Sequence, residues 1–205
     1  NLVSKAYSIL ASEYELPSVE VHLHKIIPYG AGLGGGSADA AFMLVGLNRL
    51  FSLGLNEEQL MGYAARLGSD CPFFVRNHPV FAFGKGELME AIDLSLKDYV
   101  MVLVKPDRGV STPEAYRGIT PRAASFDLRE LGKLPVCEWN GVVVNDFETS
   151  VIPKVPEIQE IKDTLNALGA VYVSMTGSGS AVYGLFDRSV EVGETFPGYF
   201  VWKSK

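Results

Sequence analysis

Pro28-Tyr29-Gly30-Ala31-Gly32-Leu33-Gly34-Gly35-Gly36-Ser37 packs five glycines into seven residues, between an apolar stretch and a helical repeat. Glycine has the most conformational freedom to lose on folding, so such a density demands a reason. Backbone access supplies one. Without Cβ atoms the amides can face a bound phosphate closely, and a helix beginning near Ser37 adds unpaired N–H groups and the positive end of its dipole. The Ser37 hydroxyl can serve a phosphate or a metal ion. A plain turn between strand and helix needs fewer glycines than this. The loop does not match Gly-x-x-x-x-Gly-Lys-Ser, so another class of phosphate loop is required.

Working outward, Val19 to Ile27 alternate apolar and polar residues, the period of a half-buried strand that Pro28 closes. On the other side Ala40, Ala41, Leu44, Val45, Leu47 and Leu50 recur at helical spacing until Gly54. Strand, glycine loop and helix follow in that order. Leu2, Val3, Tyr7, Ile9 and Leu10 already read as an amphipathic helix, and the first residue is Asn1 rather than methionine, so an N-terminally incomplete chain is expected. Asn56 should cap a second helix with Glu57 and Glu58 in its first turn, ending at Gly68. Pro72 to Val75 and Val80 to Gly84 read as short apolar strands split by Asn77 and Pro79. A strand from Tyr99 to Val104 opens a second half, giving expected domains of residues 1–97 and 98–205. Residues 107–135 are polar and rich in turn signals. Residues 156–168 read as a helix leading through Gly169 into a strand at 171–173. A second glycine loop, Thr176-Gly177-Ser178-Gly179-Ser180, precedes a strand over 181–186.

Composition narrows the function. The chain has 205 residues, 47% of them hydrophobic, and a net charge of −6. That is enough apolar material for a real core, and no broad positive field draws the chain to nucleic acid or an anionic membrane. Phosphate binding must therefore be local. No apolar run approaches the roughly 18 residues of a membrane span. Cys71 and Cys137 lie far apart without paired spacing, which fits a reducing cytoplasm. His22, His24 and His78 have no partners at metal-ligand spacing, so no metal site built from protein side chains is expected. The carboxylate that stands out is Asp70, in Gly68-Ser69-Asp70-Cys71-Pro72, as the base or orienting group for an attacking hydroxyl. The alternative reading is a helix-end aspartate that caps local amides.

Pro28 to Ala41, Leu67-Gly68-Ser69-Asp70-Cys71-Pro72-Phe73-Phe74 and Thr176 to Ser180 together resemble, in order and spacing, the kinases of galactose, homoserine, mevalonate and phosphomevalonate, the GHMP kinases. The triple glycine before Ser37-Ala38-Asp39-Ala40-Ala41, with Gly109-Val110-Ser111-Thr112-Pro113 and Asn145-Asp146-Phe147-Glu148, is similar to the branch acting on a cytidine diphosphate-linked methylerythritol. The resemblance runs across nearly the whole chain. It implies an α+β architecture of two domains, an N-terminal half like ribosomal protein S5 domain 2 and a ferredoxin-like C-terminal half. It also implies ATP-dependent phosphorylation of that small-molecule substrate with Mg2+, in the non-mevalonate route to isoprenoid precursors. By the same likeness Asp70 is the catalytic aspartate and Gly30, Gly32, Leu33, Gly34, Gly35, Gly36 and Ser37 cradle the ATP phosphates. Pro28 opens that loop, Lys25 and Asp39 lie nearer the adenosine, and Gly177, Ser178 and Gly179 complete the nucleotide site. Thr112, Pro113 and Tyr116 line the cytidine pocket, Lys85 contacts the substrate, and Ser37 is the candidate side-chain ligand for Mg2+. The resemblance further implies a catalytic lysine in a strand upstream of Asn1, no nucleic-acid or membrane partner, a monomer or homodimer, and a bacterial cytoplasm or a plastid. The competing readings are a homoserine or mevalonate type of GHMP kinase and a noncatalytic nucleotide-binding module. Against the first, those relatives carry Gly-Leu-Gly-Ser-Ser-Ala where this chain has Gly34-Gly35-Gly36-Ser37.

Overall fold

The structure, a computed structural model, describes residues 1–120 and 123–204. It divides into two compact units, Asn1–Ile26 with Gly34–Ile92 and Ile27–Leu33 with Asp93–Lys205. The division thus passes through the glycine loop, between Leu33 and Gly34.

The first unit is helical with one hairpin. Helix α1 (Leu2–Ala11) is capped by Asn1, whose side chain accepts the Val3 N–H at 3.0 Å. Helix α2 (Gly35–Leu50) buries Ala40, Ala41, Leu44 and Leu47, and α1 buries Ala6 and Leu10 in the same core. Helix α3 (Glu57–Ala65) starts as its sequence dictates: Asn56 accepts from Gln59 N while the Gln59 side chain accepts from Asn56 N. Helix α4 (Cys71–Arg76) and the antiparallel hairpin of β1 (Val80–Phe83) and β2 (Leu88–Ala91) complete the unit.

The second unit is a four-stranded antiparallel sheet. Strand β3 (Val100–Lys105) lies between β5 (Val182–Phe186) and β6 (Phe200–Lys203), and β4 (Tyr172–Met175) pairs with the far side of β5. The order β4-β5-β3-β6, with helix α7 (Glu157–Ala167) between β3 and β4, is the split arrangement of a ferredoxin-like sheet. Val102 and Val104 point to a core with Ile158, Ile161 and Leu165 of α7, while Leu103 faces Ala31 and Ala181 on the opposite side. Short helices α5 (Thr112–Arg117) and α6 (Glu148–Val151) and 3₁₀ turns at Leu128–Lys133 and Val136–Glu138 fill the connections.

The local expectations fare unevenly. The opening helix, the Asn56 cap, and strands β1, β3, β4 and β5 stand within a few residues of where the pattern puts them. Residues 19–27 form no strand, because alternation makes a strand only where a neighbour supplies the ladder. Among the described residues they pair with none, and Val21, Leu23, Ile26 and Ile27 are exposed. Residues 72–75 are helical rather than extended. Pro72 fixes a helix-compatible φ in the first turn, and Asn77 ends the helix in the left-handed region at φ 55°. Helix α2 starts at Gly35 rather than Ser37. The turn-rich stretch 107–135 contains α5, begun by Ser111 accepting from Glu114 N, and its residues 121 and 122 lie outside the described residues.

Candidate active site

The first unit holds one group of candidates, around the start of α2. Gly34 is its N-cap, in the left-handed region at φ 63°, and offers no side chain to cap the helix. The N–H groups of the first helical turn have no intrahelical acceptors, and no acidic side chain stands in that turn. The amides of Gly35, Gly36 and Ser37 are therefore left for an anion from outside the helix. A Cβ at Gly34 would lie 2.8 Å from Phe74 Cζ, so α4 packs against the loop at the one residue type that fits.

Ser37 neighbours the segment that carries Asp70. Its hydroxyl lies beside the Cys71 thiol, and Cys71 is fully buried. Burial pushes that thiol's pKa up, the Ser37 hydroxyl opposes the rise, and the neighbouring Asp70 charge adds to it. Asp70 itself occupies the N-cap position of α4 yet makes no side-chain cap. Its carboxylate is exposed and, among the described residues, accepts one long bond, 3.3 Å, from the Ser69 hydroxyl. The capping alternative for Asp70 is thereby removed. The β1–β2 turn borders the same carboxylate: a Cβ at Gly86 would lie 3.9 Å from Asp70 Oδ1. Lys85 sits on that turn, its N–H donating to Glu87 Oε2 at 2.6 Å. Lys25 and Asp39 form an ion pair with each other at 2.5 Å.

The second unit holds the other group, Pro28, Gly30, Gly32 and Leu33, in the segment whose Gly30 to Gly32 backbone meets the second glycine loop. Ala181 N donates to Ala31 O at 3.1 Å, Ser180 N to Gly30 O at 3.4 Å, and Thr176 Oγ1 to Gly32 O at 3.0 Å. The two loops pack backbone against backbone. A Cβ at Gly32 would stand 2.2 Å from Thr176 O, and one at Gly177 would stand 2.7 Å from Gly32 O. Thr112 Oγ1 and Ser178 Oγ are 3.2 Å apart and hydrogen-bonded, and Ser180 Oγ donates to Arg108 O at 2.7 Å. Pro113 opens α5, and Tyr116, 63% exposed, stands edge-on to Phe147 at 4.9 Å. The sequence reading assigned no role to Asn145, whose Nδ2 donates to Met175 O and Gly177 O at 2.7 and 2.8 Å. Its only signal was its place in the Asn145 to Glu148 stretch. Among the described residues no three potential metal-ligating side chains cluster.

The model of the GHMP kinases' N-terminal domain matches residues 1–78, and that of their C-terminal region matches residues 123–195. A 4-diphosphocytidyl-2-C-methyl-D-erythritol kinase of Parabacteroides distasonis is 53% identical over 100% of this chain and 76% of its own length. This chain belongs to the GHMP kinases, in the 4-diphosphocytidyl-2-C-methyl-D-erythritol kinase family. Its Bacteroides thetaiotaomicron relative of the same name is 54% identical over 95% of this chain and 71% of the relative. A crystal structure of a 4-(cytidine 5'-diphospho)-2C-methyl-D-erythritol kinase superposes on this GHMP kinase with a TM-score of 0.76 and 33% identity, covering 90% of this chain and 68% of that one. A homoserine kinase from Cytophaga hutchinsonii, 17% identical with a TM-score of 0.65 over 100% of this chain and 76% of its own, shares the fold.

Proposed function

We propose that this GHMP kinase transfers the γ-phosphoryl group of ATP to the 2-hydroxyl of 4-diphosphocytidyl-2-C-methyl-D-erythritol. The observation that carries the chemistry is the Asp70 carboxylate, exposed at a helix N-cap that it does not cap. Helix α4, which Asp70 precedes, packs against α2, so the acid and the first helical turn keep a fixed relation within one unit. Phosphoryl transfer asks mainly for positioning and for neutralisation of charge on the moving group. The amides of Gly35, Gly36 and Ser37 supply donors for phosphate oxygens; Gly30, Gly32 and the Gly177 to Gly179 segment are assigned to the nucleotide by the family likeness. Asp70 orients the attacking hydroxyl and takes its proton.

Mg2+, when bound, neutralises charge between the β- and γ-phosphates. With no carboxylate cluster among the described residues, this chain would hold it through the phosphate oxygens and the Ser37 hydroxyl. Lys25 and Asp39 serve the adenosine side, Lys85 the acceptor, and Thr112, Pro113 and the exposed Tyr116 ring the cytosine, which stacks on an aromatic face. The reaction belongs in a bacterial cytoplasm, with no nucleic-acid or membrane partner. The test is a coupled assay of the full-length protein with MgATP and four acceptors: the cytidyl-linked methylerythritol, its free alcohol, homoserine and mevalonate. Turnover with the cytidyl-linked compound alone supports the proposal. Faster turnover with homoserine or mevalonate overturns it, and so does nucleotide binding without turnover on any acceptor.

A further inference from the structure

We propose that Asn145 is a positioning residue for the Thr176 to Ser180 loop. The loop joins β4 to β5, and the last ladder pair before it is Met175 with Val182. Beyond that pair Gly177 and Gly179 adopt φ of 53° and 84°, and neither has a side chain with which to anchor itself. The Asn145 amide supplies the anchor. Its two N–H bonds go to the carbonyls on either side of Thr176, Met175 O at 2.7 Å and Gly177 O at 2.8 Å. Its Oδ1 accepts from Phe147 N at 3.0 Å, so all three partners fix the same orientation of the amide group.

The same short segment holds Met175 from its other backbone group. Glu148 Oε1 accepts from Met175 N at 2.7 Å and from Ser174 Oγ at 3.4 Å, while Oε2 is paired with Lys162 of α7. Asn145 and Glu148 therefore hold the C=O and the N–H of Met175, in successive peptide groups, and Glu148 fastens them to α7 through Lys162. What the loop touches gives the grip its consequence. Thr176 Oγ1 holds Gly32 O, Ser178 Oγ is bonded to Thr112, and Ser180 Oγ holds the Arg108 carbonyl. A shift of the loop displaces a residue of the first glycine loop and a residue assigned to the cytidine side together. Asn145 touches neither and acts through the loop.

The kinetic readout rests on the kinase reading above; a second readout does not. Asn145→Asp keeps the acceptor for Phe147 N and removes both donors. A matched control is Asn140→Asp, which breaks a bond of the same kind, Asn140 Nδ2 to Val171 O at 2.8 Å, outside the loop. In the full-length protein Asn145→Asp should lower kcat about 10- to 100-fold, since misplacement of about 1 Å away from the chemistry can cost that much. Asn140→Asp, which loses one exposed bond where Asn145→Asp loses two, should stay within about twofold of the parent kcat with a smaller loss of Tm. Hydrogen–deuterium exchange of residues 176–181 should rise about tenfold in Asn145→Asp, the worth of the lost bonds, with β3 unchanged. If Asn145→Asp does not fold, Asn145→Ser removes the same donors without adding a charge, and the same readings apply. Parent-like kcat with parent-like loop exchange would overturn the proposal. An equal kcat loss in Asn140→Asp would do so too, by reducing the effect to general stability. An inactive parent protein sinks the kinase reading instead, and faster loop exchange in Asn145→Asp still supports the grip.

Discussion

Asp70 and Cys71 are neighbours in sequence with opposite surroundings, and the contrast divides their work. Asp70 stays in water beside the Gly84 to Gly86 turn, without capping duty, so its carboxylate is free to meet a substrate. Asp70→Asn keeps the shape and removes the base. Turnover should fall about 10²- to 10⁴-fold with the ATP dissociation constant within about threefold of the parent, since general acid–base catalysis contributes on that scale. Parent-like turnover would take Asp70 out of the mechanism. Cys71 is sealed in the core and its thiol is held protonated by burial. A thiolate is the reactive form, so at about pH 8 a maleimide should label the exposed Cys137 quickly and leave Cys71 untouched until the protein unfolds. Mass spectrometry of the labelled peptides checks this, and fast native labelling of Cys71 would contradict its burial in the first core. Residue types alone marked Asp70, because its motif spacing was visible. Nothing in the sequence separated a free N-cap carboxylate from a capping one, since the difference is conformational: Asp70 has ψ −17° where the capping Asn56 is extended at ψ 174°.

At the level of elements, the five loop glycines are not equivalent. Gly30 has φ 67° and nothing within 4 Å of an added Cβ, whereas Gly32 has φ 73° and the Thr176 carbonyl 2.2 Å from that position. Gly30→Ala should therefore cost about 1–2 kcal/mol, the penalty for a left-handed non-glycine residue. Gly32→Ala adds a collision between two backbones that no rotamer can relieve, so it should cost clearly more and loosen Thr176 to Ser180. Denaturant unfolding of the two variants checks the order, and equal costs would mean that the two loops do not touch as described. Elements whose pattern is carried by their own residues were legible: the Asn56 box, the apolar spacing of α2, and the β-branched run of β3. Elements settled by partners were not. Residues 19–27 have a strand's alternation and no ladder, residues 72–75 have a strand's apolarity and a proline-started helix, and β2 and β6 are four-residue stretches that only their pairing with β1 and β3 defines as strands. Asn145 was silent for the same reason, because its three bonds reach atoms up to 32 residues away.

Across the molecule, the two units have separate cores, one around Leu10, Leu44 and Leu60 and one around Val104, Ile161 and Phe186. The three glycine and aspartate motifs were enough to assign the family because they are spaced through both units. The surface charges are a different matter, since their partners are set by the fold. Glu13 has its carboxyl pKa lowered by the Tyr63 hydroxyl and then Arg66, Glu114 by Lys154, and Asp127 by Arg129. The ordinary values are 4.5 for the two glutamates and 3.8 for the aspartate, and all three sit lower in the folded protein. Between the folded and unfolded values the unfolded chain binds more protons. Stability is then complete above the unfolded values and is lost as pH falls through the folded ones. Tm should thus hold level from about pH 7 to about pH 5 and decline below about pH 4.5. These groups are exposed, so the decline should be shallow, and about 1 M salt should shrink it by shortening the screening length to about 3 Å. Glu13→Gln separates this cause from general acid damage. Without the charge that Tyr63 and Arg66 hold, the variant should melt below the parent near pH 7, and the gap should narrow as pH falls through the lowered pKa of the parent's own carboxylate. A deficit that does not narrow as the solution is acidified would trace the effect to packing at Glu13 and not to its ionisation.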